Sequence, residues 1–248
     1  MDHNDILKTK DLFEAGKIVP LRAIYEVKFN PIFKIRENLG VIADNLKKYY
    51  NITTISKENN EDVVLLIKEN ITTYFTFSVF KVIEIITEGE IFNFANMVRE
   101  IKNVPERVKS YGILGKEMYD LKRIGVRLQF IGSIDKIKSI KNLNKTLILN
   151  QEFLNKIGSS EDKLYNFNIK LGPDPSDIKE GSEETIISIS GQNINLEFNN
   201  GEAYNFKNAA LIDCIKGYHY PDKIESKYLF ETENFVNDNI LPILKGVD

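Results

Sequence analysis

Apolar and polar residues alternate along two segments of the chain, and this alternation predicts strands. The apolar positions are Leu21, Ala23, Tyr25, Val27 and Phe29 in the first segment and Ile124, Val126, Leu128 and Phe130 in the second. A period of two places successive side chains on opposite faces of a strand. We therefore expect half-buried strands at residues 21–29 and 123–131.

β-Branched and aromatic residues predict three more strands by their composition. These strands cover residues 63–68, 74–86 and 164–171. Glu69 and Asn70 interrupt the apolar run between the first two, which is typical of a turn. We expect Phe75 and Ile83 to share one face of the second strand.

Three strand segments lie close together near the C-terminus, at residues 185–190, 193–198 and 204–215. Gly191-Gln192 separates the first two, and Asn199-Asn200-Gly201 separates the last two. Hairpin turns need residues that tolerate positive φ, and these short polar connections supply them. The segments therefore predict a β-meander.

Helical spacing recurs in three places, where apolar residues follow each other at steps of three and four. The apolar residues are Ile35, Leu39, Ile42, Leu46 and Tyr49, then Ile91, Phe94, Ala95, Val98 and Ile101, then Phe235, Val236, Ile240, Ile243 and Leu244. The first stripe predicts a helix over residues 31–50. Thr232 is a candidate N-cap of the last helix, and Pro242 is expected to kink or shorten it.

The order of these elements indicates an α+β fold with largely antiparallel sheets and flanking helices. Two halves share a similar β-α-β-β-β-α outline. We divide the chain into an N-terminal α+β half, residues 1–122, and a C-terminal α+β half, residues 123–248, which holds the meander and the terminal helix.

Composition limits the function classes. The chain has 33 Lys and Arg against 36 Asp and Glu, for a net charge of −3, so it lacks the basic excess typical of nucleic-acid-binding proteins. It has one cysteine and begins with a polar segment that does not resemble a signal peptide. We expect a cytoplasmic protein without disulfides.

Sequence motifs for cofactor or metal chemistry are absent. The chain contains no GxxxxGK[ST], GxGxxG, GxSxG or HExxH pattern. Asp174, Asp177 and Glu180 share a polar loop, and we favour a solvated turn there over a Mg²⁺ or Ca²⁺ site. No cofactor and no metal site is predicted.

Cys214 and His219 are the first pair to consider for catalysis. A thiolate nucleophile needs a base within hydrogen-bond reach, and Asp213 or Asp222 could orient the histidine. The alternative is that Cys214 is a small buried residue of an apolar strand, and we favour it because free cysteines are commonly buried.

Five residues are candidate binding residues. Arg127 lies on the polar face of its predicted strand, where a guanidinium can clamp a carboxylate or phosphate or serve as a surface ion-pair partner. Tyr218, His219 and Tyr220 form an aromatic run that suits an interface, a stacked base or local packing. Asp213 is the candidate that a family resemblance singles out together with Arg127.

That resemblance is to a sporadically distributed family of uncharacterised prokaryotic proteins of similar length. Residues 20–29 resemble its opening pattern P-L-x-x-x-x-x-[IV]-x-F, and residues 124–131 resemble its central pattern [IV]-G-[LV]-R-Y-x-N-x-I. Leu128 and Phe130 depart from the aromatic residue and the Asn of that pattern. Residues 210–213 are similar to a later strand of the family. The resemblance implies one whole-chain unit and no particular reaction.

These observations favour a non-enzymatic interaction or regulatory protein with a protein partner, which could be a second copy in a homodimer. The sporadic distribution of the family suggests a defence or toxin–antitoxin accessory. The alternative is an RNA- or nucleotide-binding protein, because the paired units resemble the tandem ferredoxin-like layout of CRISPR RNA-processing endonucleases. Residues 229–248 lack the glycine-rich basic loop of those enzymes. An enzyme that uses Cys214 or Asp213 is a third reading.

Overall fold

A computed structural model describes residues 3–58, 61–85, 92–110, 120–133, 166–197 and 203–245. The described strands are β1 Val19–Phe29, β2 Ile52–Glu58, β3 Glu61–Lys68, β4 Ile71–Phe75, β5 Val79–Ile85, β6 Leu121–Ser133, β7 Asn166–Leu171, β8 Glu183–Glu197 and β9 Ala203–His219. The described helices are α1 His3–Glu14, α2 Phe33–Glu37, α3 Leu39–Leu46, α4 Ala95–Ser110, α5 Lys227–Asn239 and α6 Leu241–Lys245.

The nine strands form one sheet in the order β2-β3-β4-β5-β1-β6-β9-β8-β7. Every pairing between neighbouring strands is antiparallel. The predicted α+β class, largely antiparallel with flanking helices, is confirmed. No helix in the described part of the chain has the length and apolar character needed to cross a bilayer.

The two halves meet at the centre of the sheet, where β1 pairs with β6. In each half the first strand is central and pairs with the last strand of a meander that runs outward, β5 in one half and β9 in the other. The division into halves at residue 122 stays a prediction, and both halves contribute to a single sheet.

Helices α2–α6 contribute to the main core on one face of the sheet. The largest fully buried side chains on the strands of this core are Tyr25, Phe75, Phe80, Leu66, Ile124 and Leu128. Helix α1 lies on the other face at one end, where Phe13 packs edge-on against Phe206 with ring centroids 5.0 Å apart. Of the described helices, five therefore cover one side of the sheet, and α1 covers one end of the other side.

The prediction of one continuous helix over residues 31–50 is wrong. It is divided into α2, α3 and a 3₁₀ turn at Lys47–Tyr49. The division falls at Asn38, whose backbone leaves the helical region at φ −119° and whose side-chain amide donates to the carbonyl of Lys34 at 2.8 Å. This local hydrogen bond competes with helix continuation.

The single strand predicted for residues 74–86 is also wrong, because β4 and β5 are two strands of a hairpin. Thr76 forms the turn, and its hydroxyl accepts hydrogen bonds from the backbone N–H groups of Ser78 and Val79 at 3.2 and 3.0 Å. Phe75 and Ile83 consequently lie on opposite faces of the sheet, not on one shared face. Strand β2 had no counterpart in the prediction.

The meander predicted near the C-terminus is wrong at its first turn. Strand β8 continues through Gly191 and Gln192, which pair with Ala210 and Ala209 of β9, so these residues are part of a long hairpin. The pairing partner of a strand therefore overrides the turn tendency of one glycine. The second predicted turn, residues 199–201, lies outside the described residues.

The last helix begins earlier than predicted, at Lys227. Thr232 is not its cap but lies inside α5, where its hydroxyl donates to the carbonyl of Tyr228 at 2.8 Å. Pro242 occupies the second position of α6, where a missing N–H leaves no helical hydrogen bond broken. The chain does break between α5 and α6, as expected of this proline.

Candidate functional site

The side of the sheet opposite α2–α6 is named the open face. One residue from each strand forms a line across all nine strands on this face, which we call the aliphatic row. It consists of Ile52, Ile67, Thr72, Ile83, Ile24, Arg127, Ile215, Ile186 and Lys170. Six of its nine members are isoleucines, an unusual concentration of apolar residues on a sheet face that, among the described helices, only α1 contacts at one end.

The isoleucines of the aliphatic row keep part of their surface accessible. Ile24, Ile83, Ile186 and Ile215 are half-buried, and Ile52 at the outer strand is 50% exposed. The neighbouring rows are largely polar. The open face therefore presents an apolar line between polar margins.

Arg127 and Asp213, both predicted as binding residues, form an ion pair on the open face. Arg127 Nε donates to Oδ1 and Oδ2 of Asp213 at 2.8 and 2.9 Å, and Nη2 also donates to Oδ2. The Asp213 side chain is 8% exposed and the Arg127 side chain 40%. The pair is diagonal, because Asp213 lies opposite Gln129 and Arg127 lies opposite Ile215.

Gln129 completes this group. With its oxygen oriented toward Arg127, its amide accepts hydrogen bonds from Nη2 at 3.0 Å and from Nε at 3.3 Å. The guanidinium is thus fixed by Asp213 and Gln129, while Nη1 makes no hydrogen bond within the described residues. A rigid, partly exposed guanidinium is well suited to binding an anion.

A second ion pair on the open face was not predicted. Arg123 Nε donates to Glu184 Oε1 at 2.9 Å, and Lys170 Nζ lies 3.3 Å from Oε2. Burial opposes the charge of Glu184, but the hydrogen bonds and positive charges of Arg123 and Lys170 outweigh it, so the pKa of Glu184 is lowered. Glu184 therefore stays ionised at neutral pH.

His219 joins this second pair. Its Nε2 is buried without a hydrogen bond in the described part of the chain and lies 3.9 Å from Glu184 Oε1. His219 lies six positions from Asp213 along β9, so the structure does not bring His219 to the Arg127 pair. Three of the five candidates lie on the open face but in two separate groups.

Tyr218 and Tyr220 lie away from these groups. Tyr218 points into the helix-covered core, where its hydroxyl lies 3.2 Å from that of Thr232. Tyr220 is 46% exposed and has a positive φ of 50°, which is uncommon for a bulky residue. The two tyrosines and His219 also line a polar cavity of about 260 Å³ at the end of β8 and β9.

Cys214 and His219 cannot form a catalytic pair. They lie on opposite faces of β9, because Cys214 is part of the helix-covered core and His219 faces the open side. Burial raises the pKa of the Cys214 thiol to about 12, and the nearby charge of Asp213 adds to this shift. The cysteine is a core residue in this structure.

The loop acids do not gather into a metal site. Residues Pro175–Asp177 form a 3₁₀ turn in which the N–H of Asp177 donates to the carbonyl of Asp174 at 2.8 Å. Across the described residues, no group of three or more His, Cys, Asp or Glu side chains is arranged to hold a metal ion.

A cavity of about 650 Å³ lies on the helix side between α4 and residues 222–227. Val98, Ile101, Pro105, Leu121 and Ile224 form its apolar lining. The rim carries four lysines and three acidic residues, so its charges nearly cancel. The cavity offers apolar contact without a distinct polar group to orient a ligand.

Charge is unevenly distributed on the open face. The aliphatic row, the adjacent rows that contain Arg22 and Glu26, and the row of Arg123 beyond Glu26 together hold six cations and three carboxylates among the described residues. The cations are Arg22, Lys28, Lys81, Arg123, Arg127 and Lys170, and the carboxylates are Glu26, Glu184 and Asp213. This part of the face has a net charge of +3 in a chain whose net charge is −3.

Compared with models of known protein families and with curated proteins, the chain matches none. The reading of the site therefore rests on its geometry. The period of two along β6 already places Arg123 and Arg127 on one face, so Arg123 could have been selected from the sequence. No local sequence pattern identifies Glu184 as a site residue, because its position opposite Gly217 depends on the pairing of β8 with β9.

Proposed function

We propose that this protein is a non-enzymatic binding protein whose open face docks a segment of another protein. The observation that carries the proposal is the aliphatic row, in which three adjacent pairs of isoleucines lie across the sheet on the side away from α2–α6. Burying it against a partner would gain roughly 25 cal/mol for each Å² of apolar surface removed from water.

The anatomy of the open face supports a protein partner. Interfaces combine an apolar centre with a polar margin, and here Ile24, Ile83 and Ile215 lie between rows that hold fixed ion pairs. The carboxylates of Asp213 and Glu184 are already bound by arginines, so docking would not leave them buried without partners.

RNA binding is the second candidate, and the excess of cations on the open face favours it. Three carboxylates among those cations and the line of isoleucines count against a polyanionic ligand. In a ferredoxin-like unit one strand lies between the two strands of its split β-α-β connection, whereas three strands, β3, β4 and β5, lie between β1 and β2 in this sheet. The defence or toxin–antitoxin setting follows from the family resemblance alone and stays a prediction.

Selection of peptides tests the proposal without a known partner. A displayed library of short random peptides is panned on the wild-type protein, and the enriched peptides are measured by fluorescence anisotropy. We expect apolar peptides whose affinity falls about tenfold or more for Ile24→Thr/Ile215→Thr, because both substitutions remove apolar contact at the centre of the row.

The matched control is Ile55→Thr, which makes the same substitution on an exposed residue of the opposite face of the sheet. It should leave peptide affinity unchanged, and urea unfolding of each variant verifies that the fold is intact. A library that yields no peptide sensitive to the double substitution overturns the proposal. A dimer that the double substitution dissociates in sedimentation velocity would assign the open face to a second copy instead.

A further inference from the structure

Arg22 is the one arginine of the open face without a described acidic partner. It lies on β1 opposite Gln129 of β6, in the row next to the aliphatic row. Its Nε is buried and makes no hydrogen bond within the described residues. A buried donor left unpaired costs about 1–3 kcal/mol, so the described residues do not satisfy this guanidinium. Because Nε is not accessible from solvent, a docked acceptor has to contact the Nη groups of the half-buried side chain.

Arg127 is the nearest arginine across the β1–β6 pairing. Arg22 faces Gln129 and Ile24 faces Arg127, so the two arginines are diagonal neighbours on the same face. Diagonal positions of adjacent antiparallel strands lie roughly 7–8 Å apart, within reach of long side chains. One small anion can therefore contact both guanidinium groups.

The charges of Arg22, Arg127 and Asp213 do not cancel. Arg22 and Arg127 contribute two positive charges, and Asp213 contributes one negative charge, which leaves +1. Asp213 bonds Nε and Nη2 of Arg127 and leaves Nη1 for another acceptor. A single carboxylate would neutralise the group and supply acceptors for Arg127 Nη1 and for Arg22.

We propose that Arg22 and Arg127 together bind one side-chain carboxylate of the docked protein. The proposal rests on the proposed function and adds the chemistry of the partner, which is an Asp or Glu flanked by apolar residues. The apolar neighbours are argued from Ile24, Ile83 and Ile215, which surround the two arginines along the aliphatic row. A phosphate fits the same two arginines, but the aliphatic row offers isoleucines and not the aromatic side chains on which nucleobases stack.

The test uses the peptides that depend on the aliphatic row. Each Asp or Glu of a peptide is replaced by its amide, and affinities are measured for the wild type, Arg22→Gln and Arg127→Gln. We expect one acidic position whose amide form binds about tenfold more weakly, because a charge-assisted contact is lost. In the Arg22→Gln protein that same replacement should have little further effect.

Two protein variants serve as controls for this double-mutant cycle. Arg36→Gln removes an exposed arginine of α2, outside the open face, and should change no peptide affinity. Arg22→Lys keeps the charge and should restore part of the coupling. The peptide substitutions themselves cannot alter the protein fold.

The outcomes separate the two proposals. Peptides that depend on Ile24 and Ile215 but show no acidic position coupled to Arg22 would overturn the carboxylate proposal and leave protein docking intact. Absence of any row-dependent peptide overturns both. Salt-sensitive retention of single-stranded RNA on filters that is lost in Arg22→Gln, without peptide binding, would assign the two arginines to phosphate.

Discussion

Gly125 of β6 and Gly217 of β9 lie directly opposite each other on the open face, and the Arg123–Glu184 ion pair lies over them. A Cβ atom built on Gly125 falls 2.7 Å from Arg123 Nη1. A Cβ on Gly217 falls 2.7 Å from Cγ and Oε1 of Glu184 and 2.8 Å from Arg123 Nη2. The two glycines thus make room for a salt bridge that lies flat on the sheet.

Gly217→Ala is expected to destabilise the protein by about 1–3 kcal/mol, because the added methyl group forces Glu184 and Arg123 apart. Gly125→Ala should cost less, since it meets only the flexible end of Arg123. Urea unfolding of both variants measures the difference. Equal stability of Gly217→Ala and the wild type would contradict the role assigned to this glycine pair.

Asp213→Asn should destabilise the fold by about 1–3 kcal/mol, since it removes the charged acceptor of Arg127 from a buried position. The estimate stays below that for a fully buried pair because Arg127 is partly exposed. Comparison with Arg127→Gln and the double variant in urea gives the coupling energy of the pair.

Glu26→Gln is the matched control for Asp213→Asn. Glu26 lies on the same face and has its nearest contacts with Lys28 and Lys81 at 3.5 and 3.6 Å. This more exposed group should contribute less than about 1 kcal/mol. If both substitutions lower the free energy of unfolding equally, the Arg127–Asp213 pair contributes no more to stability than an exposed ion pair does.

The sequence predicts which face of the sheet a residue occupies, but it does not predict which residue on a neighbouring strand it contacts. The period of two in β6 places Arg123 and Arg127 on the side opposite Leu128, as the structure has it. The partner Asp213 is 86 positions from Arg127, and the register that brings them together is set by the pairing of β6 with β9. No local pattern encodes that register.

Errors in the predicted elements have the same origin. Gly191 is of a residue type that favours turns. It nevertheless lies in a continuous strand, because β9 pairs with β8 on both sides of this position. The aliphatic row was equally hidden, since its members come from strands in both halves of the chain. Isoleucines at single positions form a surface only after nine strands are aligned.

Glu84 predicts a pH dependence of stability. Its side chain is buried at the start of α4, and burial raises the pKa of its carboxyl from 4.5 to about 7 against hydrogen bonds from Asn70 and the backbone of Met97. The folded protein therefore binds this proton more tightly than the unfolded chain does. The stabilisation is complete below pH about 4.5 and is lost as the pH rises through about 7.

Glu84→Gln isolates this effect from other titrating groups. Relative to the wild type, the variant should gain on the order of 2–3 kcal/mol of stability as the pH rises across that range. Urea midpoints at several pH values measure the gain, with exposed Glu37→Gln as the control. A constant difference between Glu84→Gln and the wild type at every pH would show that Glu84 does not titrate as described.

Cys214 should be unreactive until the protein unfolds. Its thiol is 1% exposed and its pKa is raised to about 12, so the folded state holds almost no accessible thiolate at neutral pH. Alkylation with iodoacetamide should be roughly a thousandfold slower or more in the folded state than in urea, because access requires opening of the core.

A surface cysteine separates protection from low intrinsic reactivity. Ser176→Cys in a Cys214→Ala background places a thiol on an exposed loop, and this thiol should react at the same rate with and without urea. Rapid alkylation of Cys214 in the folded wild type, with a pH profile that changes in His219→Gln, would instead support the hypothesis that Cys214 is a nucleophile. Because Cys214 and His219 lie on opposite faces of β9, we expect the His219 substitution to leave the alkylation rate unchanged.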